Sequence, residues 1–226
     1  MSKKILSVLA PVAALIAFMV VPTLAQATTL QANGIEVPKG ATVKAQSIHN
    51  SVYTPLQFNA VNVTLQCQEN VIGAEITSSP QTADITGTIK SATFKDQGAA
   101  NECSTDGTGT SGAIITTENV VGGTLQVQQP DATTGETVAH LTGKEGNAVK
   151  FRAEVQSILG NQQCGYETTS VQLIGKAAEK GGNDLLTTSA AFTKFEGGSL
   201  CNATGTLSGS FQIEDAGGHA GSLDMT

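Results

Sequence analysis

The stretch Val149-Lys150-Phe151-Arg152-Ala153-Glu154-Val155 decides the fold class. Every second side chain is apolar and each one between is charged, the period of a strand with one face on a core and the other in water. Val61-Asn62-Val63-Thr64-Leu65-Gln66-Cys67 repeats the pattern with Cys67 in the apolar phase. Near the C-terminus Leu207, Phe211 and Ile213 do so again, with Gly209 in the remaining inward position. Between such runs lie turn clusters: Pro38-Lys39-Gly40, Ser78-Ser79-Pro80, Asp106-Gly107, Gly122-Gly123, Pro130-Asp131, Gly181-Gly182-Asn183 and Gly197-Gly198. Their spacing predicts about ten or eleven strands in an all-β antiparallel β-sandwich, Ig-like or jelly-roll-like, with a β-barrel as the alternative. Little helix is expected, because the helix formers of Gly175 to Lys180 make too short a segment and Gly181-Gly182 would end it.

Composition agrees. Of 226 residues 39% are hydrophobic, 14% charged and 4% aromatic, with 25 Gly and 29 Thr. That excludes collagen, coiled coil and polytopic membrane classes and favours short strands and turns.

Residues 1–27 read as a cleaved signal peptide. Lys3 and Lys4 precede the apolar run Ile5 to Val21, and Ala25-Gln26-Ala27 supplies the small-x-small cleavage pattern, leaving Thr28 as the mature N-terminus. The chain is therefore expected to be secreted by a bacterium, outside the cell or associated with its wall, with no membrane insertion after cleavage. Residues 28–215 are expected to form a single domain and 216–226 a mobile tail. The mature chain carries ten Lys or Arg against nineteen Asp or Glu, a surface that repels nucleic acid and anionic membranes.

Four cysteines, Cys67, Cys103, Cys164 and Cys201, form an even set in an exported chain, which reads as two disulfides. None has the close spacing of a zinc site, and no cofactor or metal is expected. Ser91-Ala92-Thr93-Phe94 precedes Cys103, and Ser189-Ala190-Ala191-Phe192 precedes Cys201, with nine residues from each Phe to its Cys. This internal repeat favours a duplication with the bonds Cys67–Cys103 and Cys164–Cys201, each closing a 36- or 37-residue loop. Pairings that cross-link the two halves stay open from sequence alone.

Phe151 to Val155, Cys164-Gly165-Tyr166, Phe195-Glu196-Gly197-Gly198-Ser199-Leu200-Cys201 and Thr206-Leu207-Ser208-Gly209-Ser210-Phe211 carry one further signal. Together they resemble small exported all-β proteins of actinobacteria and related soil bacteria, an uncharacterised group with a signal peptide, paired cysteines and a final GGxxCxxxGxLxGxF strand. The resemblance implies architecture and disulfides, and no catalytic residue can be carried over from it.

No catalytic set assembles in the sequence. Ser111 and Ser199 lack the second glycine of a Gly-x-Ser-x-Gly elbow. Glu75, Glu154 and Glu167 are candidate carboxylates for a glycosidase, but each fits an outward strand position, and without Trp a sugar-stacking cleft is hard to build. Asp106, Asp131 and Glu136 offer calcium oxygens, although Asp-Gly and Pro-Asp are first of all turn signals. Asn62-Val63-Thr64 and Asn202-Ala203-Thr204 are formal glycosylation sequons. The expected function is thus a non-catalytic structural or binding module of the envelope or extracellular space. Its partner would be a cell-wall polymer or an envelope protein, with self-association through edge strands as one mechanism. The alternatives are a secreted hydrolase with dispersed carboxylates and a carrier of a small apolar ligand.

Overall fold

A computed structural model describes residues 30–32, 35–47, 56–59, 63–78, 84–128, 131, 133–176, 185–199, 201–215 and 223–225. The signal segment, His49, Tyr53, His219 and the Gly181-Gly182 turn lie outside the described residues.

Two short strands, β1 (Leu30–Ala32) and β2 (Ile35–Glu36), precede a first half made of β3 (Thr42–Ser47), β4 (Leu56–Asn59), β5 (Thr64–Cys67), β6 (Glu69–Ile76), β7 (Ile85–Lys95), β8 (Glu102–Thr105), β9 (Thr110–Glu118) and β10 (Thr124–Val127). The second half holds β11 (Glu136–Thr142), β12 (Val149–Ser157), β13 (Gln162–Thr168), β14 (Ser170–Lys176), β15 (Leu185–Glu196) and β16 (Thr204–Asp215), and β17 (Leu223–Met225) follows. One 3-10 turn, Lys144–Gly146, is the only helical geometry among the described residues.

The fold is all-β and antiparallel, as the alternation predicts. On β12, Val149, Phe151, Ala153 and Val155 are all buried, while Lys150, Arg152 and Glu154 sit half-exposed between them. The strands outnumber the ten or eleven expected, in part because continuous runs are bent and in part because β1, β2 and β17 form a small sheet of their own. A bend at Gln68 separates β5 from β6, and one at Thr169 separates β13 from β14. Asn70, fully buried beside the first bend, holds it in place. Its side-chain amide donates to Ser47 Oγ (2.8 Å) and to the Cys67 carbonyl (2.6 Å).

The pairing forms one circuit, β10-β11-β14-β15-β13-β12-β9-β8-β5-β4-β16-β3-β6-β7 and back to β10, with β15–β16 paired across it. That cross-pairing divides the circuit into two eight-strand rings sharing the β15–β16 wall. The sheet therefore curls and closes instead of forming two open-edged layers. Closure satisfies the backbone groups that an open edge would leave unpaired. A separate three-stranded sheet orders as β17-β1-β2. Within the segment expected to be a tail, Leu223–Met225 pair antiparallel with β1, Met225 opposite Leu30, because β1 offers them a free edge.

The pairing map repeats itself. In the first half β3 pairs with β6, β4 with β5 and β6 with β7; in the second, β11 pairs with β14, β12 with β13 and β14 with β15. The closing strands are traded between halves. β9 and β10 lie against β12 and β11. Reciprocally, β16 lies against β4 through Thr206–Ser208 and against β3 through Phe211–Asp215. The Ser-Ala-x-Phe segments occupy matching places on β7 and β15, and both Phe94 and Phe192 are buried. Phe151 of β12 packs between them edge-on, ring centroids 5.5 Å from Phe94 and 5.2 Å from Phe192, and so joins the interiors of the two halves.

Candidate functional site

The cysteines form Cys67–Cys103 and Cys164–Cys201, both bonds buried, so none is a free thiol or a metal ligand. Each bond stays within its own half. The crossed pairings that the sequence left open are not formed.

The candidate carboxylates are not brought together. Glu75 is paired with Lys90 at 3.0 Å, Glu154 accepts from Asn161 at 2.7 Å, and Glu167 lies opposite Lys150 in the β12–β13 register. Asp106 and Asp131 serve the backbone. Asp106 Oδ1 accepts the Thr64 N–H at 2.6 Å, and Asp131 Oδ1 accepts the N–H groups of Thr133 and Thr134 at 2.9 and 2.8 Å. These hydrogen bonds hold both carboxyls below the usual aspartate range. Among the described residues no three His, Cys, Asp or Glu side chains converge. Ser111 donates weakly to Gln156 Oε1 at 3.5 Å, and Ser199 is exposed in a turn. Tyr166 is buried, its hydroxyl donating to the Asn202 carbonyl at 3.1 Å, and it presents no platform to a sugar.

Arg152, the only arginine, has both sides occupied by its own chain: Nη1 donates to Glu118 at 2.7 Å and Nε to Glu196 at 2.9 Å. The Phe195 ring lies against this cluster, 4.9 Å from Lys150 Nζ and 5.2 Å from the Arg152 guanidinium carbon. Gly165 makes room for that ring, since a Cβ there would sit 2.7 Å from Phe195 Cζ. The Arg152 hydrogen bond and the Lys150 charge depress the Glu118 carboxyl below its usual range. A cluster paired in this way is a surface clasp between β9, β12, β13 and β15.

What stands out is the tip of the β12–β13 hairpin. Ile158 and Leu159 occupy the turn between Ser157 and Gly160 and are 86% and 89% exposed. The turn is rigidly built. Gly160 N–H donates to the Ser157 carbonyl at 3.0 Å, Ser157 Oγ donates to the Gly160 carbonyl at 2.7 Å, and Ile158 N–H donates to the Gly109 carbonyl at 3.0 Å. This last bond ties the tip to the β8–β9 turn, which Asp106 ties in turn to β5. The surroundings are acidic. Glu102, Asp106 and Glu154 lie on the adjoining strands and turn, and neither 96–143 nor 153–175 contains a Lys or Arg.

Two adjacent aliphatics at a turn where Gly, Asn, Asp and Ser are normal carry a signal readable in the sequence. It is easily overlooked, because Ile158-Leu159 comes only two residues after the alternating run and passes for its continuation. The chain matches no protein-family model, no curated protein and no solved structure, so these residues are read on their own chemistry.

Proposed function

We propose that the protein is an exported, non-catalytic contact module of the cell envelope or extracellular space. It docks through the Ile158–Leu159 tip into an apolar pocket of an envelope protein whose rim is uncharged or basic. The observation that carries this reading is the tip itself: two adjacent, nearly fully exposed aliphatic side chains on a braced turn, where the next most exposed large apolar residues among those described, Val121 and Ile174, are single and only 52% and 40% exposed. Preorganisation of that turn lowers the ordering cost of binding. The acidic flanking segments, which carry no Lys or Arg, favour a basic rim over an anionic membrane. The signal-peptide pattern and the two disulfides are compatible with export.

Two other readings have less support. Among the described residues, the cavity at the centre of the core, lined by Phe94, Phe151, Leu173, Leu207 and Phe211 among others, holds about 20 Å³, room for no organic ligand. Of the acids that a hydrolase would need, Glu75 and Glu154 are engaged separately, by Lys90 and by Asn161. The two halves, with their matching pairings and disulfides, are best read as products of a duplication.

The test is co-sedimentation of residues 28–226 with cell walls of the encoding organism, before and after protease treatment of the walls, across a salt series. Salt-resistant retention that is lost in the Ile158→Ser/Leu159→Ser double variant and on protease-treated walls is expected. Equal retention of the double variant, or none of the wild type, overturns the reading.

A further inference from the structure

We infer that the surface between the two halves also fits a second copy of this chain, and that two copies associate by exchanging halves reciprocally about the 128–135 connection. The inference is independent of what the hairpin tip binds.

Three observations carry it. First, neither half closes its own sheet: β9 and β10 complete β12 and β11, and β16 completes β4 and β3. The chain is thus a two-fold strand-exchanged pair written into one polypeptide. Second, both disulfides lie inside a half, 67–103 in the first and 164–201 in the second. Bonds that crossed between halves would lock the monomer; these leave each half free to move as a stapled unit. Third, the only covalent link from β10 to β11 is the short segment 128–135. Its described turn residues Asp131 and Thr133 to Gly135 are exposed and bonded chiefly to one another and to Glu136, through Asp131 N–H to the Glu136 carbonyl (2.8 Å) and Gly135 N–H to the Asp131 carbonyl (2.8 Å).

Opening that segment and docking each first half on the other copy's second half restores the strand pairings between halves, including β1 with β17. Only the β10–β11 turn changes. Monomer and exchanged dimer are therefore separated mainly by the effective concentration that the connection gives its own halves. The exchanged dimer presents two Ile158–Leu159 tips, which makes a weak apolar contact bivalent.

The test uses the whole mature chain. Deleting 129–135 joins Gln128 to Glu136 and leaves only Glu136 and the β-branched Thr137 to reverse the chain between Gln128 and Val138, where a two-residue turn demands the positive φ that neither residue favours. Inserting eight Gly/Ser residues after Thr133 relaxes the same turn. Each variant is folded with its disulfides formed, and its mass is measured by light scattering. Glu118 and Lys150, opposite each other across β9–β12, supply the cross-link: a Glu118→Cys chain is co-folded with a Lys150→Cys chain. The deletion chain is expected to be a folded species of twice the monomer mass that cross-links between chains, and the lengthened chain a monomer that does not. A folded monomeric deletion variant, a dimer without the inter-chain cross-link, or a deletion variant that never folds while the lengthened one does would each overturn the inference.

Discussion

Replacing Phe151 by alanine tests the central packing claim. The ring is 5% exposed, and its two edge-to-face neighbours come from β7 in the first half and β15 in the second. Truncating a core Phe costs about 3–5 kcal/mol. The loss of two aromatic contacts, each about 0.5–1.5 kcal/mol, places this site at the upper end of that range. A cavity already borders the ring, so the new void is contiguous with it and its lining has little to collapse onto. Against a typical stability of about 5–15 kcal/mol the variant should lose a third or more. Guanidinium unfolding followed by circular dichroism, with disulfides intact, measures it. Phe151→Leu keeps most of the volume and should lose only about 1–3 kcal/mol. An alanine variant within about 1 kcal/mol of wild type at unchanged m-value would refute the aromatic ladder. Two resolved transitions in the wild type would refute the joining of the halves into one core.

Cys67→Ala/Cys103→Ala and Cys164→Ala/Cys201→Ala should each lower stability by about 3–4 kcal/mol, because the two bonds close loops of nearly equal length, 36 and 37 residues; denaturant midpoints of the two variants check this. Tyr166 is raised above its ordinary 10.0 by burial, so its neutral form stabilises the fold fully below pH 10 and that contribution fades as pH rises past it. Alkaline unfolding should therefore move to higher pH in Tyr166→Phe, read by circular dichroism across pH 9 to 12 relative to each variant's neutral baseline. Glu118 is lowered from 4.5, chiefly by the Arg152 hydrogen bond; its contribution is complete above that value and is lost as pH falls through the depressed one. An acid titration of Glu118→Gln should accordingly show a shallower stability loss below pH 4.5 than wild type.

Much of this architecture is legible in the chain because a period of two is a strong signal where one face is buried. Val149 to Val155 could be assigned side chain by side chain, and the shared Phe position pointed to both disulfides. The closure of the sheet was not legible. It depends on which strand lies beside which, and pairings such as β16 with β3 join residues far apart in sequence, with nothing in either segment naming its partner. The bends at Gln68 and Thr169 leave only a slip of phase in the sequence: the buried side chains are odd-numbered up to Cys67 and even-numbered from Asn70 to Ile76, and change from even at Tyr166 to odd at Val171. At the hairpin tip, Ile158 and Leu159 read as more core until the turn around them is seen.

The antiparallel pairing of β1 with β17 has a mechanical consequence. Met225 lies opposite Leu30, so the polypeptide enters and leaves on the same side of the small sheet. A load applied between the two strands opens those hydrogen bonds one after another, like a zipper, and the small sheet yields at low force. Beyond it the two bridges cap the reach of the chain. Each withholds a loop, 36 or 37 residues, or about 125 Å of contour at roughly 3.5 Å per residue, from any extension. Pulled from beyond these two strands, the fold would thus give way early and then stop short, a compliant link with a built-in limit.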